Sequence, residues 1–252
     1  MSASLSGCAN IGTPEGGPRD YVPPRVVRAN PPDGAVGVSR NRIEFTFDEN
    51  INIKDQQKRV SVSPAQKQPP VIRATGKKLT VEFRDTLLPS TTYVVDFSDA
   101  VEDNNEGNPL EDFSYAFSTG PTLDTLRISG MVLRAADLEP MQHVLVGLHS
   151  NLADSAFATQ PFERLARTDS RGEFTLRNLR AGSYRVYALN DADGDLRWAR
   201  SEDMAWYADV VVPATSTFTS TDTIFTFDHR VDTVMAAATH TEYLPNDVLL
   251  SM

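Results

Sequence analysis

Hydrophobic side chains recur with a period of two along short segments of this chain, and this pattern limits the fold more than any other feature. Arg42–Phe47 and Lys78–Phe83 each alternate polar and apolar residues from end to end. Because successive side chains of an extended strand point to opposite faces, such alternation predicts strands with one buried face. Pro, Gly, Asn and Asp residues separate the segments, and no long amphipathic helix is indicated. The sequence therefore predicts an all-β fold.

The predicted strands divide between two stretches of the chain, each long enough to enclose its own core. The first stretch contains Arg42–Phe47, Val60–Val62, Lys78–Phe83, Tyr93–Phe97 and Phe113–Phe117. The second contains Leu126–Leu133, Val144–Leu148, Glu173–Leu176, Tyr184–Ala188 and Trp206–Val212. Short strands separated by turns are typical of β-sandwiches. We predict two tandem β-sandwich domains at residues 23–120 and 123–213, followed by an edge strand and a tail at residues 214–252.

Residues 1–22 are predicted to be a lipoprotein leader and a Gly- and Pro-rich tether. Leu5-Ser-Gly-Cys8 resembles a bacterial lipobox, in which the cysteine is acylated and becomes the first mature residue. The resemblance implies a lipid anchor at Cys8, the single cysteine of the chain; an incidental free thiol is the alternative. Seven residues precede Cys8, without the apolar stretch of a signal peptide, so we expect the leader to begin upstream.

The first predicted sandwich resembles the SbsA-type bacterial Ig-like domain. Pro31–Val38 and Ile43–Glu49 are similar to the start of that domain, and Leu88–Tyr93, Asp103–Leu110 and Tyr115–Gly120 are similar to its second half. Together with the lipobox, this half of the chain resembles a family of Ig-like lipoproteins of Bacteroidetes. The family implies an Ig-like fold and an envelope location, and it implies no particular activity.

Residues 168–186 resemble the carboxypeptidase-regulatory, or transthyretin-like, sandwich. Their spacing is Thr-Asp-x-x-Gly-x-Phe-x-Leu-x-x-Leu-x-x-Gly-x-Tyr-x-Val. Gly172 and Gly182 are expected to supply positive φ angles in tight turns. The residues expected to face the core are Phe174, Leu176, Leu179 and Tyr184. The resemblance implies the fold of the second domain and says nothing of its activity.

The sharpest chemical signal is an acidic segment in the second predicted domain. Asp191, Asp193, Asp195 and Glu202 stand at positions 1, 3, 5 and 12, the spacing of oxygen ligands in an EF-hand-type calcium loop. Position 6, where that motif has Gly, is Leu196, and a predicted strand precedes the loop. Two hypotheses stay open, a Ca²⁺ site that stiffens the loop and an acidic turn whose charges face water.

No other segment indicates a metal or catalytic site. Asp103–Glu106 is interpreted as a solvated turn, because Asn and Gly tolerate left-handed backbone; a calcium loop is the alternative for this segment. His143 and His149 would share a strand face, but no third ligand accompanies them. Zinc-helix, nucleophile-elbow, phosphate-loop and dinucleotide motifs do not occur in the sequence. We therefore predict a protein without enzymatic activity and with no cofactor other than the Ca²⁺ considered above.

Asp-Ser or Asp-Thr followed by an apolar residue resembles the O-glycosylation sequon of Bacteroidetes. The acceptors that this resemblance implies are Thr86, Thr125, Ser155, Thr223 and Thr233. The alternative is that these residues simply form turns that lead into strands.

Charge and hydropathy narrow the function further. The net charge is −10, and the sequence shows no basic face of the kind that binding to nucleic acid requires. No apolar run approaches the roughly 18 residues of a transmembrane helix. We expect a binding or scaffolding lipoprotein of the outer membrane whose partner is an envelope protein or glycan. The alternatives are a structural spacer and a calcium-dependent binding module.

Because the residues after Cys8 lack the acidic cluster that resembles a surface-export signal in Bacteroidetes, we expect the anchor to face the periplasm.

Overall fold

A computed structural model describes residues 20–213, 217–228, 231–243 and 248–252; for 217–228 and 231–243 the description covers the backbone alone. Strands dominate these residues, joined by two helices of a single turn. The predicted all-β fold of tandem β-sandwiches is confirmed. Among the described residues, no helix has the length and hydropathy needed to cross a membrane.

The first sandwich consists of nine antiparallel strands in three sheets. Its strands are β1 (Val26–Asn30), β2 (Arg42–Phe47), β3 (Ile51–Ile53), β4 (Ser61–Ser63), β5 (Val71–Thr75), β6 (Lys78–Glu82), β7 (Thr92–Ser98), β8 (Val101–Asp103) and β9 (Phe113–Ser118). Helix α1 (Gln56–Arg59) lies between β3 and β4. The two main sheets have the orders β1-β2-β6-β5 and β4-β7-β9, and β3 pairs with β8.

The apolar positions of the period-two pattern form the core of the first sandwich. The inward residues of β2 and β6 and their continuation are each at most 1% exposed: Ile43, Phe45, Phe47, Leu79, Val81 and Phe83. Aromatic rings interlock across the two sheets, with Phe45 edge-on to Tyr115 at 5.0 Å. Such aromatic pairs stabilise a core beyond the area they bury.

The second sandwich packs a three-stranded sheet against a four-stranded one. Its strands are β10 (Leu126–Leu133), β11 (Leu145–His149), β12 (Arg164–Arg167), β13 (Glu173–Leu179), β14 (Arg185–Leu189), β15 (Met204–Trp206) and β18 (Val248–Ser251), with helix α2 (Ala156–Thr159) before β12. The sheet orders are β13-β10-β18 and β12-β11-β14-β15. The four residues expected to face the core, Phe174, Leu176, Leu179 and Tyr184, are all buried.

Two details of the second sandwich differ from the sequence-based expectation. The predicted strand Trp206–Val212 is wrong in its bounds, because β15 ends at Trp206 and only Val211 bridges back, to Tyr184. Tyr207, the next residue, still donates its amide to the carbonyl of Val186 at 2.9 Å and packs against the core. Gly172 takes the expected positive φ of 74°, whereas Gly182 does not; Asn178, within β13, has a left-handed φ of 58°.

The C-terminal residues contain more pairing than the predicted edge strand and tail. Strands β16 (Thr217–Asp228) and β17 (Val231–Tyr243) pair antiparallel as a two-stranded sheet. Residues 248–251, predicted to lie in a tail, instead form β18, which runs parallel to β10. The prediction missed β18 because four residues are too few to show a period, and their burial depends on a groove beside β10.

The two sandwiches meet directly, with the outer face of β4-β7-β9 against β12 and β13. The amide of Leu165 donates to Ser63 Oγ at 2.7 Å, which bonds one sandwich to the other across a buried contact. Arg180 donates to the carbonyl of Ser90 at 2.6 Å, and Arg177 forms an ion pair with Asp112. We call this contact the junction.

A third apolar cluster covers the outer face of the sheet β12-β11-β14-β15. Its buried members are Leu145, Phe157, Phe162, Leu165, Tyr187 and Leu189. Two segments cross this face, residues 150–163 and the acidic segment 191–202, whose Leu196 and Trp198 pack onto the cluster. The acidic segment is therefore held on an apolar platform rather than projecting freely.

Candidate functional site

The acidic loop connects β14 to β15, and the fold brings three of its four predicted ligands together. Carboxylate oxygens of Asp191, Asp193 and Asp195 lie within 4.8 Å of one another. Among the residues with described side chains, this is the group of acidic or ligating residues that has the spacing of a metal site. Ca²⁺ takes six to eight oxygen ligands, so three aspartates would need backbone carbonyls or water to complete its shell.

Glu202, the fourth predicted ligand, closes the loop through hydrogen bonds. Its Oε1 accepts from the amide of Ala192 and its Oε2 from the amide of Ala199, each at 2.9 Å. Each carboxylate oxygen has a second lone pair, but both oxygens of Glu202 already hold the loop in its present shape. The structure therefore gives Glu202 a structural role, while its role as a ligand stays a prediction.

Leu196, the residue that departs from the calcium motif, nevertheless adopts the backbone conformation for which the motif uses Gly. Its φ angle is 62°, in the left-handed region. This conformation costs a residue with a Cβ about 1–2 kcal/mol. The Leu196 side chain is partly buried against the third cluster, and this burial offsets part of that cost. Replacement of Gly by Leu at position 6 thus does not prevent the sharp turn.

Asp191 differs from the other two aspartates because it is buried. Its side chain is 0% exposed, and its Oδ2 lies 3.6 Å from Nη2 of Arg167, which is 4% exposed. Burial raises the pKa of Asp191, and the positive charge of Arg167 opposes that rise. Arg167 also donates to the carbonyls of His143 and Gln57, and the latter belongs to the first sandwich. The acidic loop is thus connected to the first sandwich through one arginine.

Asp103, in the segment interpreted as a solvated turn, is buried instead. Its Oδ1 accepts from the amides of Asn105, Glu106 and Gly107, and its Oδ2 accepts from Asn108 at 2.8 Å. Although burial works in the opposite direction, these hydrogen bonds lower the pKa of Asp103 to about 2. The carboxylate serves as an internal cap for the loop.

Three of the five candidate glycosylation residues are exposed. Thr86 lies between β6 and β7, Thr125 directly precedes β10, and Ser155 precedes α2. Thr223 and Thr233 lie in β16 and β17, whose side chains are not described. The candidate lipidation residue Cys8 lies outside the described residues.

The groove at the junction has the position of a ligand site but not its properties. It encloses about 200 Å³ and is lined by Pro64, Leu148, Glu163, Arg164, Arg180 and Tyr184 among others. Ligand sites typically enclose roughly 300–1,000 Å³. Its polar groups are already engaged, since Glu163 accepts from Ser150 and Tyr184 donates to the carbonyl of Arg180. We assign no catalytic role to this groove.

Sequence reasoning missed the junction altogether. Ser63 and Asp96 are polar residues at the outward positions of their strands, where the alternation of side chains alone would place them in solvent. In the folded chain Ser63 is 1% exposed, and burial raises the pKa of Asp96 to about 6. A signal in the sequence was the small size of the residues on this face, which allows a second domain to approach closely.

The comparison with known protein families supports the Ig-like resemblance of the first sandwich. The family model of the bacterial Ig-like domain matches residues 20–119. No curated protein matches the sequence.

Three of the solved structures that resemble this chain are distant likenesses. The T6 backbone pilin of Streptococcus pyogenes is 9% identical at a TM-score of 0.25; the match covers 84% of this chain and 60% of the pilin. An L,D-transpeptidase from Mycobacterium smegmatis is 9% identical at 0.26, covering 63% and 77% of the two chains. The N-terminal part of the bacterial S-layer protein SbsC is 13% identical at 0.27, covering 77% and 44%. These scores carry no argument about function, whereas the family match over residues 20–119 supports a bacterial Ig-like domain in the first sandwich.

Proposed function

We propose that this protein is a lipid-anchored scaffolding or binding module of the bacterial envelope, in which two β-sandwiches act as one rigid unit. The observation that carries the proposal is the junction, where Leu165 of one sandwich donates to Ser63 of the other at 2.7 Å. Direct bonds of this kind limit the relative motion that a flexible linker would allow. A rigid tandem suits a protein that holds a partner or a domain at a set distance from a membrane.

The finer features of the proposal come from the sequence. Cys8 would carry the lipid anchor in the outer membrane, and the sandwiches would face the periplasm and contact an envelope protein or glycan. The second sandwich would be a carboxypeptidase-regulatory-like module, as in lipoproteins of Bacteroidetes. Its role would be non-enzymatic.

Metabolic acyl labelling in cells tests the anchor, and protease treatment tests the orientation. We expect the wild-type protein to incorporate a labelled fatty acid and the Cys8→Ala variant to incorporate none. Protease added to intact cells should leave the protein whole and degrade it only after the outer membrane is opened. Label on Cys8→Ala would contradict the anchor, and cleavage on intact cells would contradict the periplasmic orientation.

The spacer alternative differs from the binding role in what the second sandwich contributes. Replacing residues 123–213 with an unrelated sandwich of similar length should abolish capture of an envelope protein or glycan if this protein binds one. Unchanged function after the replacement would favour a spacer. Cross-linking followed by affinity purification of both proteins, from the same envelope extract, makes the comparison direct.

A second candidate function is calcium-dependent binding through the acidic loop, favoured by the convergence of Asp191, Asp193 and Asp195 within 4.8 Å. Asp193 is exposed, so Asp193→Ala removes a candidate ligand without disturbing a buried contact. We expect calorimetry to show Ca²⁺ binding to the wild type and at least about tenfold weaker binding to Asp193→Ala. Asp137→Ala, in an exposed turn of the same sandwich, is the control. An isotherm that Asp193→Ala leaves unchanged would exclude the site.

The exposed hydroxyls of Thr86, Thr125 and Ser155 are further proposed as O-glycan acceptors. Mass spectrometry of the protein purified from its native cells should show added hexose-containing mass on the peptides that contain them. A Thr86→Ala variant should lose the addition from its own peptide only. Unmodified peptides throughout would contradict the assignment.

A further inference from the structure

We propose that residues 150–163 form an acid-releasable strap across the outer face of the sheet β12-β11-β14-β15, with His149 as the group that triggers release. The strap comprises the loop after β11, helix α2 and the residues leading into β12. This proposal is independent of the lipid anchor and of the calcium loop.

The strap packs on the sheet through Phe162, whose ring fills a notch, the space left over β11 by the missing side chain of Gly147. A Cβ atom added to Gly147 would lie 2.3 Å from the ring of Phe162. The Phe162 ring therefore occupies the space above the β11 backbone that a side chain at position 147 would fill. Phe157 of α2 provides a second packing contact, because its ring stacks on Tyr187 of β14 with ring centroids 4.7 Å apart.

His149 forms one wall of this notch and is almost completely buried. It is 1% exposed, its ring stacks on Phe162 at 5.0 Å, and Tyr187 stands edge-on at 5.9 Å. Neither Nδ1 nor Nε2 has a hydrogen-bond partner. A buried imidazole without partners is costly when neutral and costs more when protonated, because both nitrogens then become donors and the ring carries a charge.

The charged groups around His149 do little to stabilise its protonated form. Glu163 of the strap is the nearest source of negative charge, but its Oε1 already accepts from the amide and hydroxyl of Ser150. Arg185, which pairs with His149 from β14, directs its guanidinium to the carbonyl of Leu152 and to Asp154. Tyr187 is neutral, since burial raises its pKa.

Acid should therefore weaken the strap. Burial lowers the pKa of His149, and the field of Glu163 offsets this only in part. A histidine whose pKa is lower in the folded state stabilises that state above the unfolded pKa of about 6.5, and the stabilisation is lost as the pH falls below it. For a single proton, the ratio of open to closed strap rises by at most about tenfold per pH unit.

Release of the strap would expose an apolar surface. Phe157 and Phe162 would leave the sheet and uncover Leu145, Tyr187 and Leu189, which are now buried. Opening confined to the strap would leave the main cores of both sandwiches intact, because their buried side chains lie on the opposite face of this sheet or in the first sandwich.

Trp198 is a built-in reporter for the test, because its ring lies 5.8 Å from Phe157 of the strap. The only other tryptophan, Trp206, is 61% exposed at a sheet edge. To remove its emission, the test introduces Trp206→Phe into the reference protein and into every variant. Between pH 7.5 and 5 we expect Trp198 emission to move to longer wavelength while circular dichroism in the far ultraviolet stays constant. In His149→Leu the emission should stay constant over the same range.

His143→Asn is the matched control, since it removes another partly buried histidine while Asn tolerates the left-handed backbone at that position, where φ is 59°. The acid transition should persist in this variant. The proposal is overturned if His149→Leu shows the wild-type transition, or if the wild type shows none. Should His149→Leu fail to fold, titration of the His149 Cε1 proton by NMR in the wild type decides: a pKa at or above 6.5 overturns the proposal.

Discussion

At the scale of single residues, polar side chains in this protein act mainly by holding loops together. Asp103 satisfies four amides that would otherwise be orphaned in the loop after β8, and Glu202 does the same for two amides of the acidic loop. Buried amides without acceptors cost stability, so one carboxylate can decide whether a loop is ordered. Acidic sequence patterns that suggest metal ligands can therefore arise from this structural use alone.

Asp103→Asn tests the capping role through its dependence on pH. The pKa of Asp103 falls to about 2 from the ordinary 3.8, so the ionised cap stabilises the fold above pH 3.8 and the stabilisation is lost as the pH falls toward 2. The shift corresponds to about 2 kcal/mol at pH 7. Urea unfolding should show a loss of about that size for Asp103→Asn at pH 7 and a smaller one at pH 3.

Asp154→Asn is the control for that measurement, because its side chain is 93% exposed beside Arg185 and a surface pair contributes little. Equal losses for the two variants would show that Asp103 has no special role as a cap.

At the scale of elements, glycines decide where strands and side chains approach most closely. A Cβ added to Gly130 of β10 would lie 2.0 Å from the carbonyl oxygen of Val248 and 2.8 Å from the Phe174 ring. The parallel strand β18 thus docks only because position 130 has no side chain. Because this contact joins residues that are far apart in the sequence, the local period of two did not predict β18.

Gly130→Ala should therefore displace β18 and destabilise the second sandwich. Overpacking of a close contact costs about 1–3 kcal/mol, and amide hydrogen exchange should show lost protection in β18 before any loss in β11 or β14. Gly182→Ala is the control, since its added Cβ would meet Tyr184 at an ordinary 3.6 Å. Retained protection of β18 in Gly130→Ala would contradict this account of its docking.

At the scale of the whole molecule, the junction joins the two sandwiches through direct contacts. Ser61 and Ser63 are both buried on β4 and differ in one respect. Ser63 Oγ accepts from Leu165 of the second sandwich, whereas Ser61 Oγ has no hydrogen-bond partner. This difference provides a comparison between neighbouring residues of the same type.

Ser63→Ala should uncouple the sandwiches, and Ser61→Ala should not. Loss of the Ser63 hydroxyl leaves the buried Leu165 amide without its acceptor, at a cost of about 1–3 kcal/mol. Differential scanning calorimetry should show a lower or divided unfolding transition for Ser63→Ala, while Ser61→Ala stays close to the wild type. A single unchanged transition in Ser63→Ala would argue that the junction does not join the sandwiches.

The sequence by itself determined the strands and their inward faces, because alternation along β2 and β6 is a local property that follows from strand geometry. It also placed Asp191, Asp193 and Asp195 on one loop. Only the tertiary structure decided that Ser63 is buried at the junction, that β18 pairs with β10, and that His149 lies without hydrogen-bond partners beneath a strap. These outcomes depend on which surfaces meet after folding, and the contacts involved join residues far apart in the chain, which no local pattern encodes.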